Sequence, residues 1–422
     1  MRDGFTQANA FLTVTTPLGA DQLLLDAFEG TEAISQPFRF SLSMRSTSTS
    51  LDAAAVVGAT ATVKIKLGTG PARYFSGIVS RFLHAGGDRE FSTYSAELVP
   101  KLWLLTLSRN RMIYQNKTAA VIVKAVLAEF GVTIQDKLTA TYASREYCVQ
   151  HDETALEFIS RLMEEEGIFY FFTFADGTHT MVLADASSAH VDCTNGAALR
   201  YFPYGGGREM TDAVTRFEHE SRLVAQKHAT SDYDYLNPST ALAAEHSAAA
   251  GKGSMFEYPG GHKVVADGTA RSKIRVEAEQ AQSAVSRGQS FCYSLTSGTK
   301  FTLSGHSRAA LNASHVVRAV SHSASNDHYN NSFEAFLSAV PFRPPRTTRR
   351  PVVAGSQIAV VVGSSGEEIW TDKHGRIKVQ FIWDQTGTKN ENSSCWVRVS
   401  QGWAGQGWGS LFIPRIGQEV VV

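Results

Sequence analysis

The sequence has few cysteines and no excess of either charge. Its four cysteines (Cys148, Cys193, Cys292 and Cys395) lie far apart and form no CxxC pair, which disfavours a zinc site or a disulfide framework. They are typical of reduced, partly buried thiols in a cytoplasmic protein. Lysine plus arginine equals aspartate plus glutamate, at 40 each. A general nucleic-acid binder usually carries a basic surplus, so this class is disfavoured.

Long apolar runs are missing as well. No stretch approaches the roughly 18 residues of a membrane span, and the start MRDGFTQANAFLTVTT lacks the apolar core of a secretory signal peptide. We therefore expect the protein to fold in the cytoplasm and to use another route if it leaves the cell. With 422 residues, 43% of them apolar, the chain is long enough for about two to four packed domains.

The motifs that would carry catalysis are absent too. The segment GQGWG (405–409) has the glycines of a phosphate loop, but the strand-like SLFIPRIG follows it, so no helix begins. We interpret it as a tight turn with aromatic anchors. His315, His322 and His328 come without an HExxH or a His/Cys ligand set. There is no Gly-x-Ser-x-Gly elbow. The sequence predicts no catalytic residue, no cofactor and no metal.

The body of the chain is predicted to consist mainly of short strands. Apolar and polar residues alternate in FLTVTT, FRFSLSM, ATVKIKL and YFSGIVSRFL. Two segments predict helices: one begins at Thr118 and ends at Gly131, and the other has capping-box spacing between Thr154 and Glu157. The unbroken apolar run IFYFFTF then predicts a strand that is buried on both faces.

Two segments lack a core pattern. NPSTALAAEHSAAAGKGS predicts a flexible insertion or an exposed loop. PFRPPRTTRRP (341–351) carries four prolines and four arginines and is interpreted as an extended interdomain linker that forms no core. An alternative for this second segment is a basic contact with an acidic partner.

The last 66 residues predict a small β-barrel of the OB type. The candidate strands are QIAVVV, EEIWT, RIKVQFIWD, CWVRVS, LFI and EVVV. Asp372 and Gly375 occupy the first and fourth positions of a type I turn. Beyond it, the residues Ile377, Val379, Phe381 and Trp383 face one side, and Arg376, Lys378 and Gln380 face the other. A module for single-stranded nucleic acid is an alternative, but the neutral charge and the inward position of Trp383 argue against it.

These tail residues, EEIWTDKHGRIKVQFIWD and ENSSCWVRVSQGWAGQGWGSLFIPRIGQEVVV, closely resemble the VgrG spike proteins of bacterial type VI secretion. Earlier blocks resemble the same family in the same order: FEGTEAISQPFRFSL, YFSGIV, LVPKLWLL, DETALEFISRLMEEEGIFYFF and EYPGGH. The resemblance therefore covers nearly the whole chain.

The resemblance implies a mainly β fold with α+β parts, in which phage-hub-like β-barrel domains precede an OB-fold β-barrel. Residues 1–345 would form the hub, with helices near 118–130 and 154–166. Residues 341–356 would be the Pro/Arg-rich linker, and 357–422 the OB-fold neck, truncated before a β-helix needle. The tail motif that carries the resemblance consists of Asp372, Gly375, Arg376, Trp383, Trp396, Trp403, Gly405, Trp408, Gly409, Pro414, Arg415 and Gly417.

The resemblance also implies partners and a location. The protein would be a structural homotrimer at the tip of a tube of hexameric Hcp rings. A PAAR-type tip protein and effectors would attach through the needle, and the target membrane would be contacted transiently. No nucleic acid is expected to bind, because of the neutral charge and the position of Trp383. Assembly would be cytoplasmic, and export would use the type VI system without a signal peptide. The alternative is an evolved spike whose enzymatic domain lies beyond residue 422.

Overall fold

The computed structural model describes residues 5–66, 71–203, 212–325 and 328–422. The chain divides into two units. The first contains the residues up to Leu104 together with Leu127–Thr141 and Met163–Arg346, and the second contains Leu105–Val126, Tyr142–Leu162 and Thr347–Val422. In these described ranges no helix has both the length and the apolar character needed to cross a bilayer.

Six strands of the N-terminal region form half of a twelve-stranded sheet, in the order β1-β4-β5-β6-β3-β2. In β3 the buried side chains of Phe38, Phe40, Leu42 and Met44 alternate with exposed residues, because successive side chains of a strand point to opposite faces. The four strands predicted from alternation in this region are confirmed. The elements are β1 (Leu12–Thr15), β2 (Leu24–Ala33), β3 (Gln36–Ser46), α1 (Ala53–Val56), β4 (Thr60–Ile65), β5 (Arg73–Gly87) and β6 (Ser92–Val99).

A side chain joins the two end strands of this half. No backbone ladder pairs β1 with β2 among the described residues. The buried Gln7 amide lies between them: its Nε2 donates to the carbonyl oxygens of Val14 (3.3 Å) and Leu23 (2.9 Å), and its Oε1 accepts from the N–H groups of Val14 (3.0 Å) and Leu25 (3.2 Å). Both donors and both acceptor positions of the amide are therefore used, and the half is closed into a barrel-like shape.

The middle region supplies the α+β parts. Thr154 and Glu157 form the predicted capping box at the start of α3, since the Glu157 N–H donates to Thr154 Oγ1 (3.1 Å) and the Thr154 N–H donates to the Glu157 carboxylate (2.7 Å). Phe169–Phe172 are buried on both faces of β10, as predicted. The elements are β7 (Arg109–Thr118), α2 (Ala119–Glu129), β8 (Ile134–Lys137), β9 (Ser144–Thr154), α3 (Ala155–Glu166), β10 (Phe169–Ala175) and β11 (Thr178–Ala184).

The second half of the large sheet is a closed barrel. Its strands follow the order β19-β18-β12-β13-β17-β20, and β20 pairs back onto β19, so the barrel has no open edge. Its core includes Phe217, Phe301, Val320 and Phe333. The antiparallel pair β2–β19 joins the two halves into one sheet. The strands and α-helices between Ala198 and Leu337, which include the small sheet β14–β16 outside the barrel, are β12 (Ala198–Tyr201), β13 (Ala213–Ser221), β14 (Lys227–Thr230), β15 (Ala244–Ser247), β16 (Ser254–Glu257), α4 (Val265–Gln280), β17 (Ala284–Ser290), β18 (Lys300–Ser304), β19 (Ser314–Ser325) and β20 (His328–Leu337).

The prediction of a flexible insertion or exposed loop at 237–254 is wrong for its centre. Strand β15 lies there and pairs with β14, which also pairs with β16. Leu242 and Ala244 are buried, and helix α4 packs closely here because Gly268 has no side chain: a Cβ at Gly268 would lie 2.8 Å from the Cβ of Ala244. A packed strand therefore lies within this stretch rich in alanine and serine, where its small apolar residues give no clear strand pattern in the sequence.

The expectation that the Pro/Arg-rich segment contributes nothing to a core is wrong at Phe342. This side chain is 6% exposed and stacks on Phe336 at a centroid distance of 5.4 Å. Arg343 donates to the Glu277 carboxylate (2.8 Å) and to the carbonyl oxygen of Gly167 (3.0 Å). The arginine therefore finds an acidic partner within its own chain. The segment contains no helix or strand, and its role as a linker remains a prediction.

The tail has fewer strands than predicted. A three-stranded sheet in the order β22-β21-β25 and a small hairpin form there, whereas EEIWT and LFI are not strands and CWVRVS contributes a single bridge, Val397 to Ile377. The core of this region is small: Ala359, Val361, Ile377 and Val379 are buried in it, and six partly buried side chains, including Phe381 and Ile416, pack against them. The elements are β21 (Ile358–Val362), β22 (Lys378–Phe381), β23 (Ala404–Gly405), β24 (Trp408–Gly409) and β25 (Glu419–Val421).

Candidate functional site

The tail motif begins with a tightly bonded turn. Asp372 and Gly375 form the predicted turn: the N–H of Gly375 donates to the carbonyl of Asp372 (3.1 Å), and Gly375 has φ +68°. The Asp372 carboxylate accepts from the N–H groups of His374 and Arg376, both at 3.0 Å, and pairs with the Arg376 guanidinium at 2.6 Å. Burial opposes ionisation of Asp372, but these hydrogen bonds outweigh it and lower its pKa to about 2. The turn is therefore fixed by one ionised side chain.

The strand after the turn is only partly as predicted. Ile377 and Val379 are buried, but Gln380, which was expected to face outward, is also buried. Its Nε2 donates to the Asp384 carboxylate at 2.9 Å. Trp383, expected inside, is half-buried and donates from Nε1 to Gln357 Oε1 at 2.7 Å. The strand ends at Phe381 and the chain then turns, so the period of two does not extend to Trp383.

Trp396 and Arg415, two further residues of the tail motif, contact charged side chains away from the Asp372 turn. The ammonium group of Lys378 lies 4.9 Å from the centre of the half-buried Trp396 ring, within the range of a cation–π contact. Arg415 forms an exposed ion pair with Glu368. Gly417, which has φ +89°, donates its N–H to the carbonyl of Val361 at 2.9 Å. The half-buried Pro414 precedes this turn.

The segment GQGWG is the tight turn of a hairpin, and no helix follows it. Gly407 has φ +79°, which an L side chain rarely adopts. A Cβ at Gly405 would lie 2.1 Å from the Trp408 ring, and one at Gly409 would lie 2.5 Å from the carbonyl oxygen of Trp403. The glycines therefore serve the packing of the hairpin rather than a phosphate.

The tryptophans of this hairpin face solvent instead of anchoring the turn in a core. Trp403 and Trp408 are 67% and 57% exposed, and their ring centres lie 5.3 Å apart. Leu411 and Phe412, in the same hairpin, are 71% and 75% exposed. We call these four side chains the apolar hairpin. Contiguous exposed apolar side chains commonly mark an interaction surface, and tryptophan is enriched among the residues that contribute most to binding.

Sequence reasoning missed this surface. Leu411 and Phe412 were assigned to a strand, and alternation alone does not tell whether a core is present on either side. The hydrogen bonds show the arrangement instead: the Phe412 N–H donates to Gln401 Oε1 (3.0 Å) and the Ser410 N–H donates to the Trp403 carbonyl (2.9 Å). These hydrogen bonds hold the two arms of the hairpin together, while the side chains of the apolar hairpin remain exposed to solvent.

One constellation resembles a catalytic triad but cannot act as one. His228 Nδ1 lies 3.1 Å from Ser272 Oγ, and His228 Nε2 lies 3.6 Å from the Glu257 carboxylate. Ser272 is 0% exposed, so no substrate carbonyl can approach its oxygen. The geometry is that of a buried polar contact between α4 and the small sheet.

The histidines noted in the sequence do not converge on one centre. His315 and His322 are buried, and His328 is exposed. His315 Nε2 contacts the Leu311 carbonyl at 3.0 Å, and His322 Nε2 lies 3.0 Å from the Glu32 carboxylate. In the part of the chain that the structure describes, no three His, Cys, Asp or Glu side chains are placed to hold a metal ion.

Two sequence families match this chain in succession. The family described as phage tail baseplate hub (GPD) matches residues 31–328. The family described as type VI secretion system/phage-baseplate injector OB domain matches residues 357–422. The fold described above, with barrels first and a small β tail after them, agrees with this order.

Individual relatives cover almost all of the chain. It is 38% identical to the type VI secretion system spike protein VgrG1a of Pseudomonas aeruginosa, over 99% of this chain and 67% of that protein. It is 37% identical to VgrG1b of the same organism, over 99% of this chain and 58% of that protein. The chain thus spans about three-fifths to two-thirds of the length of these curated relatives.

A solved structure has the same fold. The E. coli c3393 protein, described as a component of the type VI secretion system with structural similarity to the T4 bacteriophage tail proteins gp27 and gp5, matches with a TM-score of 0.70. The match covers 97% of this chain and 95% of that one, at 23% identity.

Proposed function

The chain belongs to the VgrG family of type VI secretion system spike proteins, and from this premise we propose that three copies form a trimeric hub and neck at the tip of the secretion tube. The observation that carries the proposal is the division of the large sheet into two six-stranded halves that share the β2–β19 seam. Three chains would present six such halves. A hexameric ring of Hcp would therefore meet a hub of matching pseudo-sixfold symmetry.

The apolar hairpin supports the same assembly. A tail whose core has four buried side chains and six partly buried ones gains limited stability from its own burial, and small domains commonly need a partner. Contact between tails of neighbouring copies would cover Trp403, Trp408, Leu411 and Phe412. A cyclic trimer closes on itself and leaves no such surface unpaired.

The remaining functions follow from the family. A β-helix needle of the kind that the family carries would bind a PAAR-type tip protein and effectors, and would contact the target membrane transiently as the tube is fired. Assembly would take place in the cytoplasm, and export would follow the tube. Residues 1–422 would be structural and not enzymatic, and any enzymatic domain of an evolved spike would lie outside them.

Electron microscopy of the purified chain mixed with Hcp rings tests the proposal. We expect end-on views with threefold symmetry, and side views in which one trimer sits on one ring. Replacing Trp403 and Trp408 together by serine should reduce the fraction of trimers, whereas Leu223→Ser, at a residue that is 76% exposed in the first unit, should not. Particles with twofold symmetry, or rings that never carry the chain, would contradict the proposal.

A further inference from the structure

A polar groove of about 780 Å³ crosses the outer face of the large sheet at the seam between its halves. It runs over strands β3, β2, β19, β20 and the end of β17. Among the described residues that line it, Phe291 is the one large apolar side chain, and it is half-buried at the β17 end. The other lining side chains mainly carry hydroxyl, amide or charged groups.

The strand registers place these groups in two rows across the sheet. Each row contains one polar side chain from each strand that it crosses. Neighbouring strands lie about 4.8 Å apart, so the side chains of a row follow one another at about this distance. The first row consists of Arg39, Thr31, Ser321, Ser332 and Gln289. The second row consists of Ser41, Glu29, Ser323 and Asn330.

The strands beneath the groove are held in place by buried hydrogen bonds on the opposite face of the sheet. Asn331, which is 2% exposed, donates from Nδ2 to the Cys292 carbonyl (2.8 Å) and accepts at Oδ1 from the Ser290 hydroxyl (2.9 Å). His322 is fixed by Glu32 at one ring nitrogen and by the Tyr329 hydroxyl (2.6 Å) at the other. The backbone that carries the two rows is therefore fixed, and a site on fixed strands needs little reorganisation of the backbone when a ligand binds.

The lining excludes several ligand classes. Glu29 and Arg39 carry opposite charges, and Arg39 is already paired with Glu97 at 3.2 Å, so the groove does not select a polyanion such as nucleic acid. Strands β2, β19 and β20 are paired on both sides. An extended peptide therefore finds no free strand edge to pair with, and there is no row of apolar pockets for its side chains.

From this arrangement we propose that the groove binds a neutral, hydroxyl-rich ligand of the oligosaccharide class. Serine, threonine, asparagine and glutamine side chains can each donate and accept, which matches the hydroxyl and acetamido groups of an amino-sugar chain. Phe291, which is half-buried at the β17 end and contacts the ring of His328, would supply the apolar contact for one sugar ring. The proposal does not depend on the trimer, since every residue in it belongs to one chain.

Isothermal titration of the whole chain with chitopentaose, a neutral amino-sugar pentamer, tests this site. We expect saturable binding to the native protein. Ser323→Ala combined with Asn330→Ala removes two groups of the second row and should weaken binding about tenfold. Ser43→Ala is the control, because Ser43 is exposed on the same face of β3 but outside the groove. Circular dichroism checks that each variant is folded.

The outcomes separate the possibilities. Binding that weakens in the double variant and not in the control supports the site. Absence of saturable binding, equal affinity of the native protein and the double variant, or binding of a neutral Ser/Asn-rich peptide in place of the sugar would each overturn it. Light scattering on the same samples reports the oligomeric state, so failure of this site is distinguishable from failure of the trimer.

Discussion

Single residues fix the tail where its core is too small to do so. Asp372 binds two backbone N–H groups and the Arg376 side chain, and Gly375 supplies the positive φ that the turn requires. Both roles follow from local sequence, since the first and fourth positions of a turn favour these residue types. The exposure of Trp403 and Trp408 does not follow from local sequence, because it depends on whether other parts of the tail pack against their rings.

The carboxylate of Asp372 makes a pH-dependent contribution to stability. Its pKa in the folded chain, about 2, lies below the ordinary value of 3.8. The contribution is therefore complete above about pH 4 and is lost as the pH falls through about 2. Asp372→Asn should destabilise the tail by about 1–2 kcal/mol at pH 7, because Arg376 loses its charged partner.

Urea unfolding of the native protein and of Asp372→Asn at several pH values between 7 and about 2.5 checks this expectation. The difference between the two proteins should shrink as the pH falls. Asp176→Asn, at an exposed turn position, serves as the control and should leave stability unchanged. A difference that stays constant with pH would show that the ionised carboxylate is not the cause.

Strands and helices that pack on a large core could be predicted from the sequence. The link between β1 and β2, which depends on one side chain, could not. The alternation in β3 and the capping box of α3 are local patterns, and both are confirmed. The closure of the first half by Gln7 has no sequence signature: a lone glutamine before a strand indicates nothing by itself. Strand β15 was missed because alanine and serine provide little contrast between the two faces of a strand.

Gln7→Ala should open the first half between β1 and β2. The substitution leaves the N–H groups of Val14 and Leu25 without their acceptor, and each buried unsatisfied polar group costs about 1–3 kcal/mol. We expect a loss of at least about 2 kcal/mol in the free energy of unfolding, with faster hydrogen exchange at these two amides.

Gln7→Glu is the informative companion variant. It keeps the size and the acceptor but removes both N–H donors to the Val14 and Leu23 carbonyls, so it should also destabilise the protein. Gln36→Ala, at an exposed position in β3, should have no effect. If hydrogen exchange in β1 and β2 is the same in Gln7→Ala and the native protein, the amide does not join the strands.

At the scale of the whole molecule, the resemblance in the tail and the earlier blocks predicted the family, because motifs such as GQGWGSLFIPRIG are specific in a way that composition is not. It also implied barrels followed by an OB-type tail, which the matches at 31–328 and 357–422 bear out. The groove at the seam could not be predicted. Its residues come from five strands in two stretches of sequence, 24–46 and 284–337, and the β2–β19 register brings these two stretches together.

The central claim is that this chain assembles as a cyclic trimer. Light scattering after size exclusion, at several concentrations up to high micromolar, tests it most directly. We expect a single species with three times the mass of one chain, whose fraction falls on dilution without dimers appearing. A stable dimer or tetramer, or a chain that remains monomeric at the highest concentration, would contradict it.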